Sequence, residues 1–481
     1  MSGKRKTGSS RRGILKLGAG LAAGAPFAPL LSNSAAAQNS DAELAALQQG
    51  RPIRLARGVV ITLDRGLGDF ASADVLIEGG KISAVGQNIA SPPGTVVVDC
   101  TNRIIIPGFV DTHVHSYQGL LRSTLPNGLV DPDYNRDIQN NLTLAYSPSD
   151  VHIGELITAL ALIDMGTTTI VDIAQISHSP EHSDACIRGL QESGIRALHA
   201  YSRGAGPNAR YPQDIGRLQR TYFSSRDQLL TLAMAVSTDP STVRAAREAG
   251  VPAVLHIRVD AEPFLRLGRD GLFRDGDLFI HATHMNEAAW HLIKDTGGRV
   301  SQCPPLEMAM GHGFPAMQDA LDHGVRPSLS SDHSATVAQD MFGVMRSTFT
   351  FQRLNVLQRR MRNEQNVPQL LTCREVLEFA TVEGARCANL DSKVGTLSPG
   401  KDADIVVLKA DRLDLWPVNN AFGTVVNLMN PSHVESVFIA GKPKKWRGSL
   451  VGVDMARVMR LASEAHDGLL RRTGFRVTLV G

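Results

Sequence analysis

Cysteine is scarce. Cys100, Cys186, Cys303, Cys373 and Cys387 are the five in 481 residues, odd in number, widely spaced and without a C-x-x-C pair. That excludes a disulfide framework and a thiolate zinc site and leaves buried thiols. Long apolar runs are missing too. The stretch Leu17–Leu31 is only weakly apolar, and Lys16, Pro26 and Pro29 interrupt a segment that would need about 20 apolar residues to span a bilayer. No permanent membrane anchor is expected. An excess of one charge is also absent: the formal charge is +3, but residues 1–37 hold six basic residues and no acid, so the rest of the chain carries −3. Nothing there argues for nucleic acid as a partner. No internal repeat is evident. The balance that is present, 43% hydrophobic and 20% charged, is that of a globular chain able to bury a full core.

Residues 1–37 read as an address. S-S-R-R-G-I-L-K at 9–16 is followed by the Gly/Ala/Leu stretch and then by small residues at Ala35 and Ala37. A basic region, an apolar region and an A-x-A-like site in that order predict a removable leader with cleavage after Ala37. The Arg11-Arg12 pair resembles a twin-arginine export signal, which predicts a periplasmic or otherwise exported protein. A disordered basic tail is the bland alternative.

Behind the leader, short strand-like runs punctuated by turns occupy 51–106: Val59–Leu63, Val75–Ile77, Ile82–Val85, Val96–Val98 and Ile104–Ile106. Similar runs return at Ile405–Leu408 and Val434–Ile439. Between them, eight apolar runs alternate with helical patterns: Phe109–His113, Thr169–Ile173, Arg196–Ala200, Leu230–Val236, Ala253–Ile257, Leu278–Ala282, Arg299–Gln302 and Pro327–Ser331. Eight parallel-type runs with crossovers suit an α/β fold of the (β/α)8 TIM type. The competing doubly wound sheet would want a glycine-rich phosphate turn after its first strand, and none is present. Thr372 and Glu375 have capping-box spacing and predict a long helix after the barrel.

The chemistry-bearing string is P-G-F-V-D-T-H-V-H, 107–115. Alternation along a strand projects His113 and His115 to one side, where two imidazoles can share a metal ion. His256 closes the fifth run, His281 the sixth and Asp332 the eighth. Ionisable groups ending four apolar strands at the face where barrel sites form need a common reason, because burying them unpaired is costly. A divalent ion supplies it; nitrogen and carboxylate donors suit Zn²⁺ or Fe²⁺, and an open position would hold water of lowered pKa.

P-G-F-V-D-T-H-V-H, the later H-A-T-H at 281–284, S-L-S-S-D at 328–332 with D-M-F beyond, A-T-V-E-G-A at 380–385 and V-G-T-L-S-P-G-K-D-A-D-I-V-V-L at 394–408 resemble the amidohydrolase superfamily. The similar branch is that of cytosine and guanine deaminases and triazine chlorohydrolases. The resemblance implies a barrel over 107–391 and a small composite β-sandwich built from 51–106 and 392–450, with a helical tail at 451–481. It implies His113, His115, His256 and Asp332 as ligands of one divalent metal, zinc first and iron second. Asp332 would also be the general base, and His281 would polarise the substrate or orient the water. The lysine that bridges two metals in other members has no counterpart in the fourth run. A homodimer is an expectation from the resemblance alone.

The departures are as informative. Where the deaminase branch has a proton-shuttle glutamate three residues after the strand-five histidine, this chain has Val259, with Asp260 and Glu262 beyond. C-P-P-L-E at 303–307 puts Glu307 where the branch has an amide, and His312 and His333 stand at loop positions of other usual residues. Arg122, His199, Glu307 and His312 are therefore the candidate substrate contacts, each with a bland reading as a rim, core or solvated group, and Tyr117 and Arg203 are further candidates. His152, His178, His182 and His323 read as surface. The expectation is a metal-dependent hydrolase of non-peptide carbon–nitrogen bonds, using metal-bound hydroxide on an sp² carbon of a small cyclic amide, amidine or imide. The alternatives are an aminohydrolase or hydrolytic dehalogenase of an N-heterocycle, or a non-catalytic binding scaffold.

Overall fold

The computed structural model describes residues 32–225, 227–258 and 261–480, apart from the side chains of 32–39. Residues 1–31, which hold most of the expected leader, and Val259 and Asp260 lie outside the described residues. Residues 1–42 form one unit, whose described part opens the helix Ser32–Leu47; residues 43–481 form the other.

Two sheets organise the larger unit. Its N-terminal end supplies β1 (Ile53–Val60), β2 (Phe70–Glu78), β3 (Lys81–Gly86), β4 (Val96–Asp99) and β5 (Arg103–Pro107). The barrel strands follow: β6 (Phe109–Val114), β7 (Thr167–Ala174), β8 (Arg196–Tyr201), β9 (Leu230–Val236), β10 (Ala253–Ile257), β11 (Leu278–His281), β12 (Arg299–Gln302) and β13 (Ser328–Leu329). The chain then returns with β14 (Ile405–Lys409), β15 (Val434–Ile439), β16 (Lys442–Trp446) and β17 (Ser449–Leu450). The ends meet where β14 pairs antiparallel with β5, making one nine-stranded sheet from both ends of the unit. Within it β1 changes partner, from β4 over Ile53–Ala56 to β5 over Val59–Val60. The change occurs at Arg57, which is left-handed at φ 66°, and at Gly58, where a Cβ would meet Ile105 at 2.7 Å. Such a break is how a sheet turns over to cover its own apolar face.

β6 to β13 form an eight-stranded parallel sheet in sequence order. Closure is made by Val114 bridging Asp332: His115 N–H donates to the Asp332 carbonyl at 3.0 Å, and Asp332 N–H to the His113 carbonyl at 2.8 Å. The barrel therefore closes through the backbone of the residues that were expected to hold metal. Val110, Val171, Ile173, Leu198, Val254 and Ile280 fill one buried core, joined by Ala385, Cys387 and Leu390 from beyond the barrel. Strands buried on both faces read as continuous apolar runs, which is why they were legible.

The helices start where local chemistry says they should. Ser147 and Asp150 form a capping box with Pro148 at the first turn of Pro148–Asp164. Thr372 and Glu375 form another, but the helix it opens is short, Cys373–Phe379, and a second begins at Val382. The expected long helix breaks because Gly384 must lie against Val110, where a Cβ would come within 2.7 Å, and Thr381 leaves helical geometry.

Candidate active site

His113 lies in β6 and His115 one residue past its end, His256 lies in β10, His281 ends β11, and Asp332 follows β13. Their polar atoms converge. His113 Nε2 is 3.2 Å from His115 Nε2 and 3.1 Å from His256 Nε2. Asp332 Oδ1 lies 3.5 Å from both His113 Nε2 and His115 Nε2, and Asp332 Oδ2 lies 3.6 Å from His281 Nε2. Only the ladder geometry of a closing barrel brings residues so far apart in sequence to one point. The local backbone is bent to do it: His281, Ala282 and Asp332 are left-handed at φ 67°, 51° and 62°. Side chains other than glycine pay roughly 1–2 kcal/mol each for that conformation, and such positions gather at sites.

The far nitrogens set the tautomers. His115 Nδ1–H donates to the Ile173 carbonyl at 2.9 Å, and His281 Nδ1–H donates to Glu307 Oε1 at 3.1 Å. Both rings thus present bare Nε2 lone pairs inward. Burial drives every imidazole in the cluster toward its neutral form: His115 is pushed down to about 4 and His281 to about 3, and His113 and His256 fall well below their ordinary value. Burial pushes the Asp332 carboxyl up, with Glu307 and Asp111 adding to the effect. A ring of lone pairs about 3 Å apart is repulsive, and at most one added proton could bridge any pair. Asp332 Oδ1 has no hydrogen-bond partner among the described residues. Donor-to-donor edges of 3.1–3.5 Å among His113, His115, His256 and Asp332 are those of nitrogens and oxygens about 2.0–2.2 Å from one central ion. The arrangement fits a divalent metal.

Glu307 is the largest revision among the expected substrate contacts. It sits in the helix Pro304–Ala309, fully buried behind His281, and accepts a second bond from Cys303 N–H at 2.9 Å. Burial raises its carboxyl to about 8. It does not face the cleft. Arg122 lies elsewhere too, since the turn Ser116–Leu121 carries it away and its guanidinium donates to the Ile157 carbonyl at 3.3 Å beside a separate groove. His199 stands directly across the ladder from Asp172, so the two share a face, and they pair at 2.9 Å inside the protein. Tyr117 is likewise buried, within reach of Gln118.

A cleft of about 570 Å³ opens over the cluster, with His115, His256, His281 and Asp332 in its wall. His312 and His333 line it as well; burial holds His312 down to about 2. Its outer wall comes from residues that periodicity did not single out, among them Tyr134, Asn135 and Asn140 from the irregular helix Val130–Leu142. The available clue was length: 33 residues separate Val114 from Pro148 where a barrel needs only a short loop. His178, expected at the surface, lines the cleft too, its Nε2–H on the Thr143 carbonyl at 3.0 Å.

The model of the amidohydrolase family matches residues 104–444. The chain belongs to the amidohydrolase family. As an amidohydrolase it is an enzyme acting on carbon–nitrogen bonds other than those of peptides. It is 24% identical over 424 residues to a 5-methylthioadenosine/S-adenosylhomocysteine deaminase of Caldicellulosiruptor saccharolyticus, covering 82% of this chain and 93% of that protein. An adenosine deaminase from Xanthomonas campestris with bound zinc superimposes with a TM-score of 0.77 at 22% identity, over 87% of this chain and 98% of that one. Atrazine chlorohydrolase from Arthrobacter aurescens, complexed with zinc, gives 0.75 at 19%, over 86% and 100%. These structures share the fold. No helix among the described residues is long and apolar enough to cross a membrane.

Proposed function

We propose that this amidohydrolase is an exported, single-metal hydrolase that attacks an sp² carbon of a small cyclic amide, amidine, imide or related substrate. The observation that carries the reading is the convergence of the His113 and His115 Nε2 atoms on Asp332 Oδ1, which has no hydrogen-bond partner among the described residues, beneath an open cleft. His113, His115, His256 and Asp332 are the ligands, with zinc as the metal and iron as the alternative. Bound there, a divalent ion supplies Lewis acidity and lowers the pKa of water at the site.

The remaining steps belong to side chains. Asp332 takes the proton of the attacking water and, through Oδ2, faces His281 Nε2 at 3.6 Å. His281 orients the attacking water: its bare Nε2 is an acceptor beside Asp332, and burial strengthens the contact. Glu307 is a positioning residue: it fixes the His281 tautomer and ring plane without touching substrate. The test is turnover of an amide, imide and amino-heterocycle panel before and after chelation. Activity lost on chelation and absent from His113→Ala and Asp332→Ala supports the assignment; activity retained in either variant overturns it.

An aminohydrolase is the second reading, favoured by the deaminase named among the similar proteins. Val259 in place of the expected shuttle glutamate weighs against it. Ammonia release, measured on the same panel, separates the two. A non-catalytic scaffold would have no need of all four ligands. Export rests on Arg11-Arg12, the apolar stretch and Ala35 to Ala37, and N-terminal sequencing of the secreted protein tests it.

A further inference from the structure

The cleft wall carries an unbalanced charge. Besides its imidazoles, its charged side chains are Arg203, Arg258 and Asp332, and Asp332 belongs to the metal cluster. No other carboxylate among the described residues lines it. Asp131, the acid that Arg258 meets among the described residues, has a side chain 63% exposed and lies 3.5 Å from Nη2, a contact worth little in water. Arg203 makes no hydrogen bond or ion pair among the described residues.

Both arginines stand on fixed backbone. Arg203 precedes Gly204, where a Cβ would lie 2.0 Å from the Ser177 carbonyl oxygen, so only glycine lets this loop press against the next one. Ala205 N–H then donates to His178 Nδ1 at 2.8 Å and clamps the loop from its other side. Arg258 follows the metal-cluster residue His256 by two positions, and its carbonyl accepts from Thr283 Oγ1 at 3.2 Å. Two guanidinium forks, anchored at the Cα and without a strong internal partner, are the donor pattern that recognises an oxyanion.

Resting on the hydrolase reading above, we propose that the substrate carries a carboxylate, held by Arg203 and Arg258 while its carbon–nitrogen bond faces Asp332 and His281. A phosphonate shares the oxyanion chemistry; the carboxylate is the assignment because the loop offers separate side-chain forks rather than a ring of backbone N–H groups.

The test uses the zinc-loaded full-length protein and matched pairs: hydantoin with hydantoin-5-acetic acid, and cytosine with 5-carboxycytosine. Calorimetry reads binding and product release reads kcat/KM. The carboxylated members bind at least tenfold more tightly, and Arg203→Gln and Arg258→Gln each narrow that ratio severalfold, while Arg122→Gln on the separate groove leaves it at the wild-type value. Equal binding within each pair overturns the proposal. So does a preference that survives in the Arg203→Gln/Arg258→Gln double variant, which would place the acid on the metal, and so does tighter binding of hydantoin-5-methylphosphonate. Tighter binding of the acids without turnover of any member supports the arginine assignment and overturns the hydrolase reading instead.

Discussion

Two buried charged clusters lie at different places on the barrel, and they are built on opposite plans. At the start of β8, Arg196 is 1% exposed and donates to both oxygens of Asp404 and to Asp402, each at 2.9 Å. Asp404 also accepts from Ala440 N–H at 2.8 Å, and Asp402 from Lys81 at 2.8 Å. Every charge there has its answer, and the network ties β8 to the turn before β14. At the ends of β6, β10, β11 and β13 the reverse holds: lone pairs face lone pairs, and an acceptor on Asp332 has no donor. A satisfied cluster is part of the fold. A convergent unsatisfied one is a place prepared for something else, and the protein accepts left-handed backbone at His281 and Asp332 to keep it.

Substitutions at the two clusters should therefore fail differently. The largest effect belongs to the open one: His113→Ala or Asp332→Ala lowers kcat/KM by at least about 10³-fold while the metal-free protein unfolds at an unchanged or higher denaturant concentration, since the repulsion is relieved. Steady-state kinetics beside urea titration reads both. Arg196→Ala does the opposite. It strands the buried Asp404 carboxylate, costs about 3–5 kcal/mol of stability, and leaves metal content per folded chain unchanged.

A smaller effect separates positioning from ligation. Glu307→Gln keeps an acceptor for His281 Nδ1–H and lowers kcat by about 10-fold, whereas Glu307→Ala lowers it by about 100-fold; in both KM and metal content stay near wild type. An equal loss in the two variants would argue that the charge of Glu307, rather than its hydrogen bond, is what matters.

The smallest effect is on pH. In the metal-free protein His115 and His281 titrate at about 4 and 3, below the ordinary value near 6.5. The unfolded chain then binds more protons, so this contribution is present above pH of about 6.5 and lost as pH falls toward 4. Glu307, raised to about 8, acts with the other sign, its contribution fading as pH climbs from about 4.5 to 8. Denaturation midpoints of the metal-free protein should peak near neutrality, with a steeper acid limb because the histidines outnumber the raised carboxyls. A flat profile would contradict the burial of these groups.

Much of the fold was legible. β9 and β10 have the bounds that apolar runs predict, because a doubly buried strand leaves few polar interruptions. β12, Arg-Val-Ser-Gln, has the expected bounds although only Val300 in it is apolar. β1 was placed six residues late, at Val59–Leu63, because Arg54 and Arg57 interrupt its apolar pattern. The end of β13 was read two residues long, since Ser330 and Ser331 already belong to the turn into Asp332. The ionisable strand ends were legible for the same reason as the strands: position along a parallel run decides which end faces the cleft. Residues beyond the strands were not. Arg122, His178 and Glu307 sit on turns and a short helix, where no period assigns direction, so one faces a different groove, one lines the cleft and one turns inward behind His281.

Metal content tests the central claim most directly. Elemental mass spectrometry of the purified protein and of His256→Ala should find about one zinc or iron per chain in the first and far less in the second. No metal in either, even after reconstitution, would contradict the reading of the open cluster as a ligand set, and two per chain would contradict the single-ion site.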